Sequence, residues 1–168
     1  MVAKRGFHAA SVDEIAKRAG FSIGALYWNF ASKDELFLAV FDEHVHWFKG
    51  QLEEALASAD ADAGASEWIE RIVQRPQQFL IFIEFWAYAV RKPKVRAALA
   101  ERMREMRESA AAALTQRAHA AGAQPPVAPE LAALLGLAIG RGVALEKLAD
   151  PDGLDHQPVS QLLRRLSA

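Results

Sequence analysis

An all-α protein is predicted for this chain of 168 residues. Three observations predict it. The chain is 52% hydrophobic and 24% charged, so it can bury a core and is not a disordered polyelectrolyte. Alanine, leucine, glutamate and arginine dominate, residues that lose little side-chain freedom in a helix. No stretch of useful length alternates apolar and polar positions as a half-buried strand does.

The helices follow in order. Ser11 can cap a first one, with Glu14 three residues on completing a capping box, and Val12, Ile15, Ala16 and Ala19 fall on one face. Gly20 stops it. Ser22 caps a short second helix with Ile23, Leu26 and Phe30 on its inner side. Ser32 opens a long third helix, again with a capping box through Glu35, running to about residue 59. "DADAG", 60–64, reads as a linker. Helices are predicted over 66–75, 76–91 and 94–121, the last two divided by Pro93, which cannot continue a helix and disfavours one in Lys92. "GAQPPVAP" is a loop, 130–149 a helix, "DPDGLDHQP" a turn, and a short amphipathic helix closes the chain.

Composition excludes several functions. There is no cysteine, hence no disulfide framework or thiolate metal site. The longest apolar run, residues 79–90, is too short to span a bilayer and holds Glu84. With no signal-peptide pattern, a soluble cytoplasmic protein with no membrane contact is expected. His44 and His46 are two apart and project about 200° apart on a helix, so they cannot share a metal. No H-E-x-x-H and no nucleophile elbow are present, so no enzyme, metal or cofactor is expected. The formal net charge is −1, yet residues 1–33 carry a local +3, which points a basic end toward a polyanion.

The spacing of Ala16, Gly20 and Leu26 carries the functional argument. Alanine suits the point where two helices touch, glycine the bend between them, and a large aliphatic residue the inner anchor of the second helix. That is a helix-turn-helix, whose second helix enters the DNA major groove. Gly24 and Ala25 are small enough for close approach to base edges, and Ala25 can touch a thymine methyl. Tyr27 and Asn29 can donate to phosphates, Lys33 adds charge, and Ser11 offers a hydroxyl beside a helix N-terminus.

"GFHAASVDEIAKRAGFSIGALYWNFASKDELF" resembles the DNA-binding region of the tetracycline-repressor (TetR) family of bacterial regulators. The likeness is specific over residues 5–41: the G-F before the first capped helix, I-A-x-x-A-G-x-S, L-Y-x-x-F and S-K-x-E-L. It implies that Ser11, Tyr27 and Lys33 contact phosphates, that Ile23, Gly24 and Ala25 face bases, and that Trp28 and Asn29 flank the groove. Many members have histidine where this chain has Asn29. Members also have a full helix before the G-F, whereas only "MVAKR" precedes Gly6. Either Met1 is an internal methionine taken as the start, the reading preferred here, or the coding sequence is truncated; weakened DNA binding and a mobile N-terminal domain are then expected. The domains are placed at 1–45 and 46–168, the first binding DNA, the second binding effector and dimerising.

In the second part, "QQFLIFIEFWAYAVR" is apolar nearly all round and should be central. Its aromatics are either plain core or the wall of an effector cavity. The cavity candidates are His44, Trp47, Phe48, Phe82, Glu84, Phe85, Trp86, Tyr88, Met103 and Met106. Glu84 can meet a cationic or hydroxyl-bearing ligand, or pair with an arginine such as Arg141. Gly136 and Gly140, four apart, suit close helix approach. The resemblance implies a homodimer through the last helices, with Leu162, Leu163 and Leu166, and two recognition helices on a palindromic double-stranded operator. The expected function is a repressor released by a small, largely apolar effector. The alternative is a ligand-binding helical dimer that has lost DNA binding.

Overall fold

The computed structural model describes residues 11–57, 67–71, 73–153, 155 and 157–167. Every regular element among them is helical: α1 (Val12–Ala19), α2 (Ile23–Asn29), α3 (Lys33–Ala57), α4 (Pro76–Ala89), α5 (Pro93–Ala121), α6 (Pro129–Ala149) and α7 (Gln157–Ser167), with a further helical segment over 67–71. The region 1–10, on which the expectation of a shortened first helix falls, lies outside the described residues, as do 58–66. Among the described residues no helix is long and apolar enough to cross a membrane.

The predicted start and stop signals operate through real bonds. Ser11 Oγ accepts from Glu14 N–H at 3.1 Å and Glu14 Oε2 accepts from Ser11 N–H at 3.3 Å, which closes the capping box of α1. Gly20 ends α1 at φ 76°, a left-handed conformation that glycine adopts without Cβ strain. Ser22 Oγ caps α2 on Ala25 N–H. At α3 the bonding differs by one residue from the expected box. Ser32 Oγ accepts from Glu35 N–H at 3.1 Å, but the Glu35 carboxylate accepts from Ala31 N–H at 2.7 Å. Reaching one residue further back satisfies the connecting backbone rather than the cap itself. Gly122, at φ 62°, terminates α5, with Ala123 N–H bonded to Ala118 O.

Packing divides the chain into two compact units: Met1–His46 with Gln77–Glu101, and Trp47–Pro76 with Arg102–Ala168. The first unit is therefore drawn from two separate stretches of sequence. The reason lies in α3 and α4. Phe37, Phe41 and His44 form a stripe on α3, and Phe79, Phe82, Phe85 and Tyr88 form one on α4; all seven are buried. Phe41 stacks on Phe85 at 4.1 Å between ring centroids and on Phe82 at 5.7 Å, while Phe37 meets Phe85 at 5.0 Å. Such pairs contribute beyond area burial. A smaller cluster in the same unit joins Val12, Ala16, Leu26 and Leu36, with Ile15 and Phe30 against it.

The second unit is built on small residues. Ala110 and Ala111 of α5 meet Ala133 of α6, flanked by Leu52 and Leu114. Gly140 of α6 makes the closest approach: a Cβ there would lie 2.4 Å from Cη2 of Trp68. The indole lies against the bare glycine backbone, and Phe48 meets it edge-on at 5.7 Å.

Candidate nucleic-acid interface

The recognition element is assembled from the inside out. Ala16 is fully buried and Leu26 8% exposed, so α1 and α2 touch through a methyl and are pinned by a leucine. Leu36, in the first turns of α3, closes the same cluster. With Leu26 and Phe30 turned inward, the opposite side of α2 has no choice but to face water. Ile23 is 47% exposed, Tyr27 51% and Trp28 90%, and Gly24, Ala25 and Asn29 are exposed as well. Each α2 residue expected to meet DNA is therefore exposed, Ile23 included, although its helical spacing from Leu26 and Phe30 predicts the inner side.

Gly24 has open space around it, with nothing within 4 Å of where a Cβ would be. Its smallness satisfies no internal packing need. Ser11 is exposed, and its hydroxyl oxygen accepts the capping bond, a role that does not use its O–H donor. Asn29 Nδ2 donates to Ala25 O at 2.8 Å, a bond that fixes its rotamer and leaves the amide's second N–H as the one to offer a phosphate. Lys33 is half-buried in the first turn of α3.

Beside Lys33 stands a group the sequence did not single out. Asp34 accepts from Lys92 Nζ at 3.0 and 3.3 Å and from the Tyr88 hydroxyl, and Lys92 also donates to that hydroxyl. The ammonium lies 4.4 Å from the centroid of the Tyr88 ring. Partial burial pushes the Asp34 pKa up, but the hydrogen bonds from Tyr88 and Lys92 and the charges of Lys92 and Lys33 together bring it below the ordinary carboxylate value. Tyr88 is pushed up, first by burial and then by its bond to Asp34. Lys92 is raised by its bonds to Tyr88 and Asp34. Tyr88 was expected at an effector cavity; its hydroxyl is engaged here. Fifty-four residues separate Asp34 from Tyr88, so no local pattern could reveal the pair. Only the Tyr88–Lys92 spacing of four, one helical turn, was a readable hint.

The other cavity candidates fall in both units. His44, Phe82 and Phe85 belong to the stacked aromatic cluster of the first unit, where Trp86 packs on Phe82 at 5.3 Å and Glu84 is half-buried. Burial holds the His44 imidazole below its usual pKa, against a hydrogen bond with Gln78 that raises it. Trp47, Phe48, Met103 and Met106 belong to the second unit. Trp47 carries the Arg75 guanidinium 5.3 Å from its ring centroid. Arg141 Nη2 points at Met103 Sδ at 3.4 Å and Met106 Sδ at 3.8 Å; burial, and then the nearby Arg107, lower its pKa.

Of the interface candidates, Gly136 is half-buried and Leu162 is 49% exposed. The side chains of Leu163 and Leu166 lie outside the described residues. The close approach expected at Gly140 is made within the chain, by Trp68. Sequence reasoning missed Leu131, Leu134 and Leu145, which are 46%, 48% and 48% exposed along α6; their spacing of three and then eleven, near whole helical turns, was the available signal.

Two family profiles match this chain. "Bacterial regulatory proteins, tetR family" covers residues 1–40, and "BetI-type transcriptional repressor, C-terminal" covers residues 51–168. The chain belongs to the TetR family of transcriptional regulators. These are DNA-binding proteins, not enzymes. This TetR-family regulator is 40% identical over 80 residues to the HTH-type transcriptional activator FasR of Mycolicibacterium smegmatis, across 48% of this chain and 34% of that protein. It is 33% identical over 54 residues to the fatty acid metabolism regulator protein of Bacillus subtilis, across 32% of this chain and 28% of that one. The aligned stretches thus span about a third of each curated relative. Among solved structures it superposes on Salmonella enterica GusR with a TM-score of 0.80 at 26% identity, covering 99% of this chain and 90% of that one.

Proposed function

We propose that this regulator is a homodimeric repressor of the cytoplasm that reads a palindromic operator with α2 and releases it when a small, largely apolar effector enters the helical part of the chain. The proposal assigns DNA reading to residues 1–45 and effector binding and dimerisation to 46–168. One observation carries it: α2 exposes Ile23, Gly24, Ala25, Tyr27, Trp28 and Asn29 together, although Gly24 and Trp28 have no internal packing reason to be there. In the proposed complex Ile23, Gly24 and Ala25 meet base edges, Ser11, Tyr27 and Lys33 hold phosphates, and Trp28 and Asn29 flank the groove.

The repressor assignment is supported by the match of residues 51–168 to a repressor profile. A second copy on α6 and α7 is supported by Leu131, Leu134, Leu145 and Leu162, large apolar side chains left in water in a single chain. Effector binding is supported by Trp68, whose Nε1–H is buried with no hydrogen-bond partner among the described residues. Such a donor is costly unless satisfied, and a ligand carbonyl or hydroxyl would satisfy it.

A gel shift on the chain's own upstream DNA tests the reading. The expected result is one shifted species that is lost with Trp28→Ala, while far-UV dichroism is unchanged. A folded protein that shifts no upstream fragment would instead favour a ligand-binding dimer without DNA-reading activity.

A further inference from the structure

We propose that Asp34, Tyr88 and Lys92 form a latch that sets the position of the recognition helix, by tying the first turn of α3 to the C-terminal end of α4. This rests on the DNA-reading role of α2 and deepens it.

Three consecutive uses are stacked into the first turns of α3. Lys33 is the expected phosphate contact. Leu36 lies in the cluster that holds Leu26, and so carries α2. Asp34, between them, is held by Tyr88, the last ring of α4's aromatic stripe, and by Lys92 just past the end of α4. A shift of α4 along or about its axis must either drag Asp34, and with it Leu36 and α2, or break the latch. The stacked rings of Phe37, Phe41, Phe82 and Phe85 pack α3 on α4 but carry no hydrogen-bonding group. Hydrogen bonds to a carboxylate are directional and lose strength steeply with misalignment.

The charge balance points the same way. A bare carboxylate next to Lys33 would repel the phosphate that Lys33 is there to attract. Lys92 neutralises it, at 3.0 Å, from a residue 58 positions away in sequence. Breaking the latch therefore both frees the helix and returns a negative charge to the DNA-facing side. Asp34, Tyr88 and Lys92 act through α2 and are positioning residues.

The test uses the full chain, which has no cysteine of its own. Spin labels on Arg18→Cys and Val90→Cys, both exposed, report the separation of α1 from the end of α4, in samples diluted with unlabelled chain. Tyr88→Phe removes only the hydroxyl and keeps the ring against Phe37. The expected result is a broadened or shifted distance distribution for Tyr88→Phe and Lys92→Met, recovery with Lys92→Arg, and operator binding weakened about 5- to 150-fold in the unlabelled variants, the range of ordinary coupling. An unchanged distribution overturns the latch. So does a changed distribution with unaltered operator affinity, because positioning would then be irrelevant to reading. A wild-type chain that binds no operator overturns the DNA-reading role instead, and the two failures are told apart because the distance measurement needs no DNA.

Discussion

Two glycines on one helix should respond oppositely to the same substitution. At Gly140 a Cβ would sit 2.4, 2.9 and 3.2 Å from Cη2, Cζ3 and Cζ2 of Trp68, whereas at Gly142 nothing lies within 4 Å. Carbon atoms rest about 3.5–4.0 Å apart, so Gly140→Ala obliges a buried indole, 4% exposed and bounded by Phe48, to retreat by about 1 Å. Overpacking of this kind costs about 1–3 kcal/mol. Both positions are interior to α6, and both gain about 1 kcal/mol of helix propensity from alanine. That gain cancels in the comparison, and the clash is left. Gly142→Ala should melt above wild type, and Gly140→Ala below Gly142→Ala by about 1–3 kcal/mol. At about 2–4 °C per kcal/mol for a chain of this size, thermal unfolding followed by dichroism resolves the gap. Trp68→Phe should narrow it, since the shorter ring leaves room for the methyl. If the two alanine variants melt within a degree of each other, the close approach of Trp68 to Gly140 is not what the glycine is for.

Gly24→Ala should separate stability from function. With open space at the site, the protein should gain about 0.4–1 kcal/mol, while on the proposed DNA-reading role of Gly24 operator affinity should fall because the added methyl would crowd base edges; titration calorimetry beside a melting curve reads both. Ser22→Ala removes the cap on Ala25 N–H, should cost about 1 kcal/mol, and should speed amide exchange at Ala25. Ser22→Asp should restore the melting point yet bind operator less well, since a carboxylate at that helix end repels phosphate. His44 is held below its ordinary pKa, first by burial, so the unfolded chain takes up its proton first. Stability is then full above about pH 6.5 and falls as pH drops through the unfolded value. His44→Gln should flatten that fall; equal pH slopes for the two proteins would show that His44 does not carry it.

The local punctuation of the fold was legible in sequence because it is chemically local. Ser11, Glu14, Gly20 and Ser22 act within four residues of themselves, and their bonds form where spacing placed them. The outward face of α2 was legible for a related reason, since Leu26 and Phe30 go in, except at Ile23, which was expected inside with them and is 47% exposed. What could not be read is which helices share a core. Nothing in the sequence says that the stripe 79–88 packs on 37–44 and not on the later helices, so the interleaving of the two units was invisible. The same applies to Asp34, whose partners are 54 and 58 residues away. Gly140 was picked out for its missing side chain and Tyr88 only as one aromatic among several, and the neighbour each one meets is set by tertiary packing.

Trp28 has a consequence for how the proposed DNA complex responds to salt. Phosphate contacts are ionic, and their contribution decays steeply as salt rises. An indole that is 90% in water before binding is a different reserve: removing about 200 Å² of it from solvent is worth up to about 5 kcal/mol, with little dependence on ionic strength. A grip built partly on that surface would persist through osmotic stress that strips the ionic contacts away. Its heat-capacity change, more than its salt slope, would record how much of the helix is seated in the groove.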